Sequence, residues 1–277
     1  MNKKIYAILL FALLLGVSGL YAQDLVILHS NDTHSQIEPQ TVGENKGLGG
    51  YERRENYIEK VRKEYPNVLL MDAGDYSQGT PYFTLFKGDV EIELMNALGY
   101  DVATIGNHEF DNGTAELARR VKMASFPIVC ANYDFTGTAL EGIIKPYTVI
   151  EKGGLKIGVI GVLTDIMSLV SPKNVKGIKY IEPYNVVNKL ASKLKKKEKC
   201  DLVILLSHLG FDGGSKHAPS DDMVAAQSKD IDIIIGGHSH TYITEKKLVP
   251  NKNGKDVVIV TANEKGNYVG KLDLYLQ

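Results

Sequence analysis

Short apolar runs recur along the chain at 25–28, 68–71, 102–105, 202–206 and 231–235, each rich in Val, Ile or Leu and bounded by polar residues. Runs of that length and composition predict buried β-strands. The stretches between them carry a helical period. At 183–197, Val186, Val187, Leu190 and Leu194 share one stripe, and Pro183 suits a first turn. Residues 50–65, 89–98 and 114–124 read the same way, so strands and helices alternate and the fold class is α/β. Two regions depart from the alternation. Residues 146–150 and 155–162 flank Gly153-Gly154 and predict a hairpin. Near the C-terminus, 257–261 and 268–276 predict two more strands, the second alternating Val269, Leu272, Leu274 and Leu276. The sheet is therefore expected to be mixed and doubled into two layers covered by helices.

The residues at the end of each run carry chemistry as well as architecture. The first run leads into Asp32 and His34, the second into Asp75, the third into Asn107 and His108, the fourth into His208, the fifth into His238 and His240. Five of the seven histidines thus stand directly after a strand. Ligands of open α/β sheets gather beyond the carboxyl ends of strands, so these residues are expected to converge on one site.

The N-terminus has Lys3 and Lys4, an apolar core at 5–15 and a small-residue exit at Ala22. This predicts a secretory signal peptide over 1–22 and a single mature domain over 23–277, exported to a periplasm or secreted. The apolar core is shorter than the roughly 20 residues that span a bilayer, so no stable membrane insertion is expected after cleavage. Lys+Arg number 32 and Asp+Glu 33; without the two leader lysines the net charge is about −3. That balance provides no basic face for a nucleic acid polymer. The lysines at 193, 195, 196, 197 and 199 fall at a predicted helix C-terminus, where cations meet the negative dipole end and water. Cys130 and Cys200 adjoin apolar runs outside any C-x-x-C spacing and are expected as buried free thiols.

Asp32 and His34 lie two apart in what is expected to be an extended loop, so both can grip one cation. Asp75 has two carboxylate oxygens and is the best bridge between two cations. Asn107 offers an amide oxygen; His108 beside it would face whatever the cations bind. If a helical turn starts there, Asp111 accepts a hydrogen bond from the His108 ring and orients it as a proton donor. His208, His238 and His240 supply further imidazoles, and the glycines beside them let the backbone approach the ions. Nitrogen and oxygen donors without thiolate suit zinc, manganese or iron. The sequence has no Walker glycine loop and no G-x-S-x-G elbow. His29 is expected to close a strand and pack inward, His217 to lie in a surface loop, and Arg53 and Arg54 to open a helix near the first glycine pair, from which they could reach phosphate.

The series NDTH, GDYSQG, GNHEFD, SHLG and GGHSH, in this order between Asn31 and His240, resembles the calcineurin-like metallophosphatases, specifically the catalytic domain of the 5′-nucleotidase family. The closing 266–273 resembles that domain's last strand. The resemblance implies a four-layer αββα sandwich and two divalent metal ions. Asp32, His34, Asp75 and His240 would hold one ion, and Asp75, Asn107, His208 and His238 the other. It further implies hydrolysis of phosphate monoesters, above all nucleoside 5′-monophosphates, by a metal-bound hydroxide, with His108 and Asp111 stabilising the transition state; Asn107 and His108 are expected to meet substrate, as is Arg53 from its helix. Some family members carry glutamine where this chain has His240. The family's C-terminal domain, which brings phosphate-holding arginines and base-stacking aromatics, has no counterpart before Gln277, so a separately encoded nucleoside-binding domain is an expected partner. The same site could serve a cyclic-nucleotide phosphodiesterase, a nucleotide-sugar hydrolase or a thiosulfate-ester hydrolase. A reading of another class is a non-catalytic metal-binding partner subunit, against which His108 and Asp111 argue.

Overall fold

The computed structural model describes residues 25–211 and 219–275. The leader at 1–22, His217 and Leu276 lie outside them. In chain order the elements are β1 (Leu25–Ser30), α1 (Tyr51–Glu64), β2 (Val68–Asp72), α2 (Pro81–Phe86), α3 (Asp89–Leu98), β3 (Val102–Thr104), a 3₁₀ turn (His108–Phe110), α4 (Gly113–Met123), β4 (Ile128–Val129), β5 (Tyr133–Asp134), β6 (Tyr147–Lys152), β7 (Leu155–Leu163), β8 (Lys179–Tyr180), α5 (Pro183–Lys196), β9 (Leu202–His208), α6 (Asp221–Gln227), β10 (Ile233–Gly236), β11 (Lys247–Pro250), β12 (Asp256–Val260) and β13 (Gly270–Leu274).

The strands form a five-stranded sheet in the order β13-β1-β2-β3-β4 and a six-stranded sheet in the order β11-β12-β10-β9-β7-β6. Both are mixed. Strands β1 to β4 run parallel while β13 is antiparallel to β1; β7, β9, β10 and β12 run parallel, with β6 and β11 antiparallel at the edges. The expected hairpin is the β6–β7 pair, closed by Gly153 and Gly154 with Lys152 opposite Leu155.

Strand pleating distributes the apolar runs between two cores. Leu25 and Ile27 of β1 pack between the sheets, in one cluster with Ile157, Ile204, Leu206, Ile233 and Ile235. Val26 and Leu28 face the other way, under Ile58 and Val61 of α1 and Ile92 and Met95 of α3. On the second sheet Val203, Leu205 and Ile234 face Val187, Ala191 and Leu194 of α5 and Val224 of α6. The result is the αββα sandwich. It explains why the runs are continuous rather than alternating: both faces of each central strand are covered, and each fully buried Leu or Ile contributes about 1.5–3 kcal/mol.

Cys130 and Cys200 are buried free thiols. Among the described residues no helix is long and apolar enough to cross a membrane. The apolar pattern gave no warning of α2, α6, β11 or the small β5–β8 pair, all short or at an edge.

Candidate metal centre

The carboxyl ends of β1, β2 and β3 in one sheet and of β9 and β10 in the other point to the same end of the sandwich. Asp32, His34, Asp75, Asn107 and His108 therefore come from the first sheet and His208, His238 and His240 from the second. Asp32, His34 and His240 offer ligand atoms that all lie within 4.8 Å of one another; so do Asp75, His208 and His238, and so do His34, Asp75 and His108. The histidine and carboxylate candidates read from the sequence are thus in one cluster, with Asp75 between the histidines of its two ends.

The loop after β1 is not extended. Asp32, His34, Asp75, His238 and His240 all have positive φ, between 46° and 74°. Asp and His tolerate this left-handed region better than bulkier residues, yet each such residue costs about 1–3 kcal/mol. The glycines act where backbone meets donor. A Cβ at Gly237 would lie 2.9 Å from His208 Nδ1 and 3.1 Å from Asp32 Oδ2, and one at Gly106 would collide with the Asp75 carboxylate.

Hydrogen bonds fix which atoms face inward. Asp32 accepts the His238 backbone N–H at 2.9 Å and the Asn31 side-chain amide at 2.6 Å. The His208 ring lies with Nδ1 2.7 Å from the Ala73 carbonyl, to which it can only donate. Its Nε2 then faces Asp75 Oδ2 at 3.1 Å, lone pair against lone pair unless a proton or a cation lies between. His240 is held likewise, Nδ1 lying 3.0 Å from Glu264 Oε2, while its Nε2 is 3.0 Å from His34 Nε2. The two ring nitrogens thus face each other across a gap that a proton bridges and that a shared cation would fill. Asn107 Oδ1 is buried with no hydrogen-bond partner. A cradle of inward lone pairs and an orphaned amide oxygen fits divalent metal.

The electrostatics agree. Burial pushes the Asp32 carboxyl up to about 7 against the pull of His208, and lowers His34 and His238 to about 4, so both imidazoles stay neutral. Asp75, although burial opposes it, is held below the usual carboxylate range by His208 and His34. Burial also lowers His208, but Asp75 outweighs it and the ring rises to about 10, the proton standing where the lone pairs face each other.

Beside the cluster, His108 opens the 3₁₀ turn and its Nδ1 lies 2.9 Å from Asp111 Oδ2. That hydrogen bond raises the His108 pKa even though burial lowers it. Asp111 does not cap α4, whose N-cap is Asn112.

Two contributors escaped the sequence reading. Glu109, fully buried, accepts backbone N–H groups from Asp75 at 2.9 Å, Gly106 at 2.6 Å and Ser77 at 3.0 Å, tying the loop after β2 to the loop after β3. Its place beside His108 was the one available signal. Glu264, which fixes His240, had none. Arg53 and Arg54 stand apart from the cluster. Arg53 is exposed on α1, and Arg54 turns inward with its guanidinium 4.3 Å from the centre of the Tyr51 ring.

Residues 25–242 match the calcineurin-like phosphoesterase family. The chain is 34% identical over 275 residues to a snake venom 5′-nucleotidase from Gloydius brevicauda, covering 91% of this chain and 45% of that protein. It is also similar to two solved structures. A 5′-nucleotidase precursor from Thermus thermophilus superposes with a TM-score of 0.80 at 33% identity, covering 89% of this chain and 50% of the other. The NAD nucleotidase of Haemophilus influenzae gives 0.79 at 29% identity, covering 90% and 46%. The chain spans about half the length of these relatives. With the donor cluster at the strand ends, the histidine and carboxylate pair beside it and a match running from Leu25 to Tyr242, this chain belongs to the calcineurin-like phosphoesterase family.

Proposed function

We propose that this chain is an exported hydrolase of phosphate monoesters, nucleoside 5′-monophosphates foremost, working with two divalent metal ions, and that its catalytic unit is residues 23–277. Asp32, His34, Asp75 and His240 would hold one ion and Asp75, Asn107, His208 and His238 the other, with Asp75 shared. When bound, such a pair ionises water near neutral pH and neutralises phosphate oxygens in an in-line displacement.

The remaining chemistry falls to the chain's own side chains. With Nδ1 committed to Asp111, His108 keeps Nε2 free to hold a proton for the leaving oxygen. Water supplies the new bond to phosphorus, the ester P–O bond breaks, and the alcohol departs with the His108 proton. Asp111 keeps the ring oriented and favours its charged form. The backbone N–H of His108 donates to Asp75 Oδ1 at 2.9 Å, so the proton donor and the shared carboxylate are built on one short link.

The observation that carries this reading is the convergence of Asp32, His34, Asp75, His208, His238 and His240 from the strand ends of both sheets, with the oriented His108 imidazole beside them. The test is metal analysis of the purified protein followed by phosphate release from adenosine monophosphate and an aryl phosphate. Absence of release from every phosphoester in manganese or zinc would end it.

A further inference from the structure

The two arginines at the start of α1 take no part in the chemistry above, and one of them is buried without a partner. Arg54 is 3% exposed, and none of its three guanidinium nitrogens has a hydrogen bond. Burial opposes its charge, but Tyr100, Tyr51 and the Asp72 carboxylate nearby outweigh that, so the group stays a cation. A buried cation with free N–H groups is ordinarily matched by an acceptor.

Arg54 lies in the wall of a cavity of about 380 Å³, together with Arg53. Gly49 and Gly50, which lead into α1, belong to the same wall, so the positive end of a 14-residue helix adds to the two guanidinium charges. Gly50 caps that helix without a side-chain hydrogen bond. The Arg54 guanidinium lies against Gly266 of the same wall, where a Cβ would collide with Nη2. No Asp or Glu lines the cavity, and none of the metal-type donors does. Leu48, Tyr57 and Tyr268 supply apolar sides, the Tyr268 ring being stacked 4.3 Å from that of Tyr242. The volume is within the range of small-molecule sites, which begins at about 300 Å³.

We propose that this cavity is a second ligand site, apart from the metal centre, and that it binds a small organic oxyanion as an effector. The charged head would meet Arg53, Arg54 and the start of α1, and a short apolar body would lie between Leu48, Tyr57 and Tyr268. Guanidinium forks match carboxylate and phosphoryl heads alike. Arg53, expected from the sequence to meet substrate, is assigned to this site instead. One segment joins the cavity to the metal centre. Asn267, in the cavity wall, donates from its side-chain amide to Asn263 Oδ1 at 3.2 Å, and Asn263 donates to the His240 carbonyl at 3.0 Å. Between them Glu264 meets His240 Nδ1, and the Lys265 N–H donates to the Asp32 carbonyl at 2.6 Å. An anion that steadies this wall therefore steadies the segment that orients His240. The site stands on its own residues and does not depend on the hydrolase reading.

The test is calorimetric titration of benzoate, phenylphosphonate and inorganic phosphate into the full chain, both manganese-loaded and after metal removal on a chelating resin. Wild type, Arg53→Gln and Arg53→Lys are compared; Arg53 is exposed, so folding does not depend on it. Binding that survives metal removal belongs to the cavity rather than to the cations. The metal-free wild type is expected to bind benzoate or phenylphosphonate more tightly than inorganic phosphate, and the tighter of the two identifies the head group. Arg53→Gln should weaken that binding about tenfold and Arg53→Lys recover part of it, as loss of one charge-assisted hydrogen bond implies. Amide hydrogen exchange over 263–267 should slow when the anion is added to the metal-free wild type, and should not slow in Arg53→Gln. Absence of binding by all three anions without metal, inorganic phosphate bound as tightly as the organic anions, affinity in Arg53→Gln within about twofold of wild type, or unchanged exchange at 263–267 would each overturn the proposal. None of these readouts is turnover, so a chain that cleaves no ester can still uphold the site.

Discussion

Replacing Glu109 tests whether the donor loops are held by one buried side chain. Its two oxygens accept three backbone N–H groups, Asp75 and Gly106 on Oε2 and Ser77 on Oε1. Burial, and secondarily the nearby Asp75 charge, push its carboxyl up to about 7, while the Gly106 N–H and Arg120 pull it back. At pH 8 it is ionised and all three bonds are charge-assisted. Glu109→Ala leaves three buried N–H groups without an acceptor at about 1–3 kcal/mol each, a loss of about 5 kcal/mol after partial relaxation. Glu109→Gln can keep its oxygen toward Asp75 and Gly106 and turn its amide toward Ser77, opposing two donors at one contact for about 2 kcal/mol. Urea unfolding of the metal-free protein at pH 8 measures both. Because Asp75 has φ 55° and depends on this anchor, calorimetric titration of manganese should also weaken more in the alanine variant. If Ala and Gln cost the same within about 0.5 kcal/mol, or if Ala costs less than about 2 kcal/mol, Glu109 does not tie the two loops.

His108→Ala should keep its metal content and lose about 100-fold or more in turnover, the usual scale of a general acid. In Asp111→Asn the hydrogen bond that raises His108 is weakened, so the alkaline fall of the kcat profile should move to lower pH; an unmoved profile would separate the pair. Glu264→Gln should weaken metal affinity by about tenfold with kcat at saturating metal little changed, as for other partners of a ligating imidazole; isothermal titration reads this directly. His29 is buried and neutral, its pKa lowered from 6.5 to about 4 by burial, so its contribution to stability is complete above 6.5 and is lost as pH falls toward 4. The full difference is about 3 kcal/mol, and His29→Leu should flatten the acid limb of the urea midpoint against pH by that amount.

The strands and the donor residues were legible because each depends on local sequence. A run such as 202–206 is apolar at every position because both of its faces are covered, and His208 at its end follows from chain direction alone. The hairpin could be read from Gly153-Gly154 for the same reason. The features that could not be read depend on contacts distant in sequence. Glu109 acts through Asp75 and Ser77, 34 and 32 residues away. Glu264 meets His240 only because the loop before β13 returns to the strand ends. The loop at Asp32 and His34 was expected to be extended, since nothing local in Asn31-Asp32-Thr33-His34 announces two left-handed residues; the backbone bonds from Asp32 to the Gly74 carbonyl and from His34 to the Asp75 carbonyl impose them. Helix α2 was invisible because its apolar residues do not face a core.

The cluster draws donors from both sheets, which otherwise meet through apolar packing and a few hydrogen bonds such as that from the Ala131 N–H to the Gly161 carbonyl. A cation seated there would rivet the two halves at one rim. Chelation should then quicken amide hydrogen exchange first along the ends of β1, β2, β9 and β10, with the helical layers following only at global unfolding.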